Sequence, residues 1–165
     1  MTNARTQLAR EAAKLLLQQR IAALGTLHAS APSVTMTPFA LSYEPFALIV
    51  LVSALASHTR DMAADARVGV MVSRPEPADG SVHSLVRMSV RARARGLNSD
   101  DAQHASARAA YERRFPDMRG LFELADFRLF LLEPHEIRVV ARFAAAGSVK
   151  PESVLEAVDH YRTSP

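Results

Sequence analysis

The chain has 165 residues, of which 48% are hydrophobic and 22% charged, and this composition predicts one globular domain spanning residues 1–165. It contains no cysteine, which excludes disulfides, zinc–thiolate sites and thiol chemistry and favours a cytoplasmic location. The net charge is only +3, a weak indication of a polyanionic partner. The longest apolar run, at residues 45–56, is shorter than the ~20 residues of a membrane-spanning helix, so we expect no membrane partner.

Hydrophobic periodicity predicts the elements of the first half of the chain. Apolar residues recur at helical spacing over residues 3–20, which indicates an amphipathic first helix. Three apolar runs predict the strands that follow it: residues 21–29, 34–41 and 46–52. The third run is apolar on both faces, which is typical of a central strand. A short helix over residues 58–66 and a strand over residues 67–73 follow, before a loop at residues 74–84 that contains proline and glycine.

The second half of the chain continues this order of short strands and helices. Residues 85–97 alternate between polar and apolar side chains and predict a long strand, and residues 100–115 predict a helix that Pro116 ends. Two apolar runs flank "EPHE" and predict a hairpin with Pro134 in its tight turn: residues 127–132 and 137–143. Residues 151–161 predict a last helix. Consecutive short strands joined by tight turns favour an antiparallel barrel with peripheral helices, a mainly β (α+β) fold.

A polar cluster lies between the third predicted strand and the short helix, in the stretch "LVSALASHTRDMAADARVGVMV". Its members carry hydroxyl, imidazole and guanidinium groups: Ser53, Ser57, His58, Thr59 and Arg60. Ser57 is the predicted N-cap, so the next three residues form the first helical turn. Unpaired backbone N–H groups and the helix dipole favour an anion there, and Arg60 adds a charged donor. The cluster therefore predicts a phosphate-binding site, and a polar surface turn is the alternative.

Four arginines lie an even number of positions apart along the long predicted strand: Arg87, Arg91, Arg93 and Arg95. Side chains at this spacing share one face of a strand. A basic stripe for nucleic acid is one interpretation, but the chain is only 6% aromatic and has no tryptophan to stack on bases. We therefore predict a solvent-exposed outer face or a dimer contact, with no nucleic-acid partner.

The six histidines show no spacing typical of a metal site, so we predict none. Their sequence positions leave a haem ligand among them possible. No G-x-S-x-G, P-loop or G-x-G-x-x-G motif occurs, so nothing in the sequence indicates a hydrolase or a nucleotide triphosphatase.

The stretch "LVSALASHTRDMAADARVGVMV" resembles the flavin-phosphate segment of the FMN-binding split barrels related to pyridoxamine 5'-phosphate oxidase. Its S-x-L-x-x-H-T-R pattern is similar to the haem-utilisation branch of that superfamily. Three further segments are similar to the branch's opening hairpin, central strand and closing hairpin: "RIAALGTLHASAPSVTMTPFAL", "RMSVRARARGL" and "ADFRLFLLEPHEIRVVARF". The resemblance covers residues 9–143.

The resemblance implies a homodimer of six-stranded antiparallel split β-barrels, with FMN as cofactor and two sites at the subunit interface. It assigns the FMN phosphate to the polar cluster at residues 53–60. It assigns the flavin ring to the backbone of the second strand: Thr35, Met36, Thr37 and Pro38. Arg87 and Arg91 are expected near the flavin or the partner subunit. The implied function is an FMN-dependent oxidoreductase acting on a small-molecule substrate, and the alternative is a haem- or tetrapyrrole-binding protein on the same barrel.

Two departures from the family pattern concern the cofactor pocket. Family members often carry a Gly-rich segment after the last strand, where this chain has "ARFAAAG" at residues 141–147, and the bulkier backbone is expected to narrow the pocket. Met88 also lies where oxidase relatives tend to carry an amide that contacts the flavin.

The apolar strands give a second reason to expect a dimer. Residues 46–52 and 68–72 carry more apolar side chains than the inside of a small barrel needs. We therefore expect a symmetric partner to cover their second faces.

Overall fold

The computed structural model describes residues 3–78, 80–142 and 145–163. The helices are α1 (Ala4–Gln18), α2 (Ser57–Ala64), α3 (His104–Arg114) and α4 (Pro151–Thr163), with 3-10 helices at Val82–Ser84 and Pro116–Glu123. The strands are β1 (Ile21–His28), β2 (Ala31–Pro38), β3 (Ala40–Tyr43), β4 (Phe46–Ser53), β5 (Arg67–Ser73), β6 (Arg87–Leu97), β7 (Phe127–Arg142) and β8 (Ala145–Val149). None of the helices described is both long and apolar enough to cross a membrane.

All described strands belong to one antiparallel sheet. Its order is β2-β1-β5-β6-β7-β4-β3, and β8 adds to β7. Strands β2 and β4 also contact each other, so the sheet curves around a core to which α1 and α4 contribute. This confirms the predicted class, a mainly antiparallel α+β fold with peripheral helices. The described part has eight strands rather than the six expected.

The strand count differs partly because the predicted second strand breaks in two. Phe39 separates β2 from β3 and is completely buried, and its N–H donates to the Arg20 carbonyl. Burying this aromatic ring in the core stabilises the fold more than continuing a single strand through Phe39 would. The chain turns there, and β3 pairs with β4 instead of continuing along β1.

The hairpin predicted around Pro134 is wrong, because β7 runs through this region as one strand of 16 residues. Ala92 pairs with Pro134 and Arg91 pairs with Glu136, so His135 is the extra residue of a β-bulge. Proline has no N–H to donate and is tolerated in sheets at such bulges. The bulge therefore accommodates the proline that suggested a turn.

A second hydrophobic cluster lies on the other side of β4. Ile49 and Leu51 pack there with Tyr111 and Phe115, the aromatic residues at the end of α3. The expectation that a partner subunit covers this face of residues 46–52 is therefore wrong, because the chain covers it with its own helix. The second face of β5 differs, since Gly69 and Met71 are exposed.

The long helix begins later than predicted. Residues 98–103 form turns, in which the Asn98 N–H donates to the Asp101 carboxylate at 2.6 Å. This local bond competes with a helical start, so α3 begins at His104. The alternation predicted for residues 85–97 is confirmed in β6, where Met88, Val90 and Ala92 are buried between exposed neighbours.

Candidate functional site

The turn between β4 and α2 is held by two of the hydroxyl groups that the sequence assigned to a phosphate. The Ser53 hydroxyl donates to Asp126 Oδ2 at 2.8 Å and accepts from the Leu55 N–H at 3.1 Å. The Thr59 hydroxyl is buried and donates to the Ser53 carbonyl at 2.6 Å. Both hydroxyl protons are therefore engaged within the protein.

Helix α2 begins at Ser57, with Ala56 as its N-cap and no side-chain capping bond among the described residues. The predicted N-cap at Ser57 is therefore wrong, because Ser57 is already the first residue of the helix. His58, Thr59 and Arg60 form the first turn as predicted. The first N–H groups of a helix have no intrahelical partner, so this turn keeps its capacity to bind an anion.

A cavity of about 430 Å³ lies beside this helix, and two arginines, Arg60 and Arg128, contribute to its lining. Its remaining wall is mostly apolar: Ala54, Ala63, Gly96, Leu97, Leu129 and Phe130. Arg128 Nη1 donates to the carbonyls of Ala125 at 2.5 Å and Phe127 at 2.9 Å, which fixes one side of its guanidinium. Sequence reasoning missed Arg128 because only the pairing of β4 with β7 brings it opposite Val52.

The segment that the resemblance assigned to the flavin ring lies next to α2. Thr35 Oγ1 of β2 is 3.1 Å from His58 Nδ1, and Thr37 is buried on the same face of the strand. Met36 points to the opposite, outer face and is 63% exposed. Burial lowers the pKa of His58, which favours its neutral imidazole. The structure therefore brings the two predicted halves of the site together through this pair.

A second histidine on the hairpin of β1 and β2 contacts α2 through a buried carboxylate. His28 Nδ1 lies 2.7 Å from Asp61 Oδ1, and the Thr26 hydroxyl donates to Asp61 Oδ2 at 2.8 Å. These two hydrogen bonds lower the pKa of the Asp61 carboxyl, and the bond from His28 has the larger effect. Asp61 is only 4% exposed. An ionised carboxylate only accepts, so His28 donates through Nδ1 and its Nε2 remains available on a side chain that is 60% exposed.

Arg87 and Arg91 lie on the outer face of β6, opposite the face that packs on the core. Arg91 Nη1 pairs with Glu136 at 3.0 Å, and Arg87 Nη1 donates to the Leu85 carbonyl at 3.0 Å. Within one chain the structure does not place them with the cluster at residues 53–60. The segment at residues 141–147, where this chain departs from the Gly-rich family pattern, includes residues 143–144, which lie outside the described residues. No group of three or more His, Asp or Glu side chains in the described ranges is arranged to hold a metal ion.

The curved antiparallel sheet with peripheral helices has the architecture of the split barrels related to pyridoxamine 5'-phosphate oxidase. The family model for pyridoxamine 5'-phosphate oxidase matches residues 8–141, and the chain belongs to this family. It is 27% identical over 128 residues to the haem oxygenase HutZ of Vibrio cholerae, a match that covers 77% of this chain and 72% of the relative.

Solved structures have the same fold. The structure of HutZ from Vibrio cholerae, described as a haem storage protein, has a TM-score of 0.69 at 27% identity, with 77% of this chain and 89% of that chain covered. A haem-binding protein from Mycobacterium smegmatis has a TM-score of 0.80 at 22% identity and covers 94% of this chain. The match spans 61% of the mycobacterial chain, and its low identity supports the fold alone.

Proposed function

We propose that this protein binds haem at the junction between α2 and the β1–β2 hairpin. Imidazole is the commonest protein ligand of haem iron, and both His28 and His58 lie at this junction. Arg60 on the same helix provides a guanidinium for a haem carboxylate. The donor set fits the group, since it combines imidazole nitrogen with a cation and exposes no thiolate that would compete. The similarity to HutZ supports the same function.

The observation that carries haem ahead of FMN is the use of the two hydroxyls in the β4–α2 turn. A phosphate there would lack two of the hydroxyl donors that the sequence assigned to it, because Ser53 and Thr59 already donate to Asp126 and to backbone. Breaking those bonds would leave the half-buried Asp126 carboxylate and the Ser53 carbonyl without these donors, and an unsatisfied polar group that is fully buried costs about 1–3 kcal/mol. A carboxylate needs fewer donors than a phosphate and can be held by Arg60 alone.

A titration with both cofactors tests this proposal. We expect the purified protein to take up ferric haem at one equivalent per chain, with a sharp Soret band, and to leave added FMN fluorescence unquenched. Absorbance and fluorescence titrations measure the two events on the same preparation. Strong quenching of FMN together with no Soret band would contradict haem binding and favour the flavin.

The second candidate function is an FMN-dependent oxidoreductase that acts on a small molecule. The uncapped first turn of α2, with Arg60 beside it, is the observation that favours it, because this arrangement suits a phosphate. FMN would supply the hydride or electron chemistry, and the protein would hold and orient it.

If FMN is the cofactor, Arg60→Ala should weaken its binding far more than Arg93→Ala. Arg60 can form a charge-assisted bond to the phosphate, and losing such a bond costs about 1.5–3 kcal/mol, or roughly tenfold to hundredfold in affinity. Arg93 lies exposed on the outer face of β6, where a charge contributes about 0–1 kcal/mol. Flavin-fluorescence titration of both variants, with circular dichroism to check folding, measures the difference. Equal FMN affinities of the two variants would show that the FMN phosphate does not bind at α2.

We also propose that two copies of the chain form a homodimer through the outer face of β2, β1 and β5. Three large apolar side chains are exposed there on neighbouring strands: Val34, Met36 and Met71. Contiguous exposed apolar surface is typical of an interface, and a two-fold axis would cover it in both copies at once.

A further inference from the structure

We propose that a cavity between the beginnings of α1 and α4 binds a small molecule that carries two or more phosphate groups. Its volume of about 730 Å³ falls within the roughly 300–1,000 Å³ that is usual for small-molecule sites. His28, His58 and Arg60, which the haem proposal uses, do not contribute to its lining. The proposal is therefore independent of haem binding, and either can fail without the other.

The walls of this cavity come from two parallel helices and the sheet beneath them. Lys14 Nζ of α1 lies 6.0 Å from the centroid of the Tyr161 ring near the end of α4, and the first turns of both helices line the cavity. The bulge of β7 at His135 and the end of β8 form the remaining wall. A Cβ built on Gly147 of β8 would lie 2.9 Å from Leu8 Cδ1, so α1 packs too closely on this strand for a larger residue. The cavity is thus formed by packed elements.

The lining carries more unpaired positive than negative side chains. Its acidic residues are Glu136 and Glu156, and the Glu136 carboxylate already accepts from Arg91 Nη1 at 3.0 Å. Three basic residues of the lining form no ion pair with another described residue: Arg5, Arg10 and Lys150. His135 and His160 add imidazole groups to the same lining. This balance of charge attracts an anion.

The position of Arg5 gives a further reason to expect an anion in this cavity. Arg5 lies in the first turn of α1, which contains no acidic residue. A cation at this end of a helix faces the positive end of the helix dipole, which is unfavourable. An anion bound beside Arg5 would relieve this repulsion.

The hydroxyl groups of the cavity favour a phosphate ligand. Three hydroxyls form no hydrogen bond to another described residue: those of Thr6, Ser148 and Ser153. At the β4–α2 turn, by contrast, the hydroxyls of Ser53 and Thr59 are already engaged. Phosphate oxygens accept from hydroxyl, lysine and arginine donors. Arg5 and Arg10 are five positions apart, roughly 7.5 Å along the helix axis, so their charges suit a ligand with separate phosphate groups.

Isothermal titration calorimetry with three probes tests this site: inorganic pyrophosphate, inorganic phosphate, and citrate as a carboxylate anion of similar charge to pyrophosphate. The variants are Arg5→Gln combined with Arg10→Gln, Lys150→Gln, and Arg113→Gln as the matched control. The substituted lining residues are exposed, so their variants should fold, and circular dichroism checks this. Arg113 is an exposed residue of α3 that does not line the cavity.

Wild type should bind pyrophosphate about tenfold more tightly than phosphate or citrate, because the second phosphate adds charge-assisted contacts. The double variant should bind pyrophosphate roughly 10–100-fold more weakly, the usual effect of losing charge-assisted bonds. Lys150→Gln should also weaken binding, and Arg113→Gln should bind like wild type. Equal affinity of wild type for citrate and pyrophosphate would overturn the assignment to phosphate. Pyrophosphate binding that the double variant retains in full, or that wild type lacks, would overturn the site itself.

Discussion

Replacing Arg114 by methionine is expected to lower the free energy of unfolding by about 2–4 kcal/mol, since charge-assisted hydrogen bonds are lost and helix carbonyls are left without donors. Arg114 Nη2 donates to three carbonyls at the C-terminal end of α1: Leu16 at 3.2 Å, Leu17 at 3.3 Å and Gln19. The guanidinium also lies over the ring of buried Phe39, 5.5 Å from its centroid. A cation at this end also complements the helix dipole.

The residue thus joins the end of α3 to the end of α1. Methionine retains much of the apolar stem, so the change reports mainly on the charge and its hydrogen bonds. Arg114 Nε is buried with no hydrogen-bond partner among the described residues, and its removal offsets part of the loss.

Denaturation with urea, followed by circular dichroism, measures this change. Arg113→Met is the matched control, because Arg113 is the preceding residue of α3 and is exposed. Substitutions at such surface positions usually change stability by no more than about 0.5 kcal/mol. If both variants unfold at the same urea concentration, Arg114 does not stabilise the end of α1.

The sequence predicts the elements best where the hydrophobic period is long and regular. The alternation along β6 and the helical spacing of α1 both emerge in the structure, because one face of each element is buried in the same core. Prediction fails where one local signal has two meanings. Pro134 is typical of a turn, but it also fits a bulge in a continuous strand, and only the pairing with β6 distinguishes the two.

The contact between the two segments that the sequence assigned to the site was expected from the resemblance, but the hydrogen bonds around it were not. The resemblance brought the segment at residues 35–38 to the junction at residues 53–60, and the Thr35–His58 contact agrees with it. The pair of His28 and Asp61 was missed because the two residues are 33 positions apart and belong to a strand and a helix. The hydrogen bond from the Ser53 hydroxyl to Asp126 was missed for the same reason, since the two residues are 73 positions apart. No local period encodes such long-range pairs.

The proposed dimer face follows from the register of three strands. Met36 pairs with Ala23, and Ala23 pairs with Met71, so the two methionines lie on one row of the outer face. In the next row, Val34 lies opposite Gly25, which in turn lies opposite Gly69.

The two glycines leave a shallow apolar groove between exposed side chains. Val34, Met36 and Met71 are 72%, 63% and 45% exposed. A Cβ built on Gly69 would meet no described atom within 4 Å, so the space above that residue is open in one chain. A second copy can fill this space with its own apolar side chains.

Met36→Glu is therefore expected to convert the dimer into a monomer. A two-fold interface places the substitution twice in the same apolar contact, and an unpaired buried carboxylate costs several kcal/mol. About 3 kcal/mol corresponds to a dissociation constant raised by more than a hundredfold. Sedimentation velocity at micromolar concentrations should show wild type as a dimer and the variant as a folded monomer.

Leu124→Glu provides the control for this experiment. Leu124 is 49% exposed, but it lies in the turn before β7 rather than on the outer face of β2, β1 and β5, so its variant should remain a dimer. A dimer that persists in Met36→Glu would move the interface to another surface. Wild-type protein that sediments as a monomer would contradict the proposed dimer. The apolar face of Val34, Met36 and Met71 would then be exposed to water, which is unusual for contiguous apolar surface.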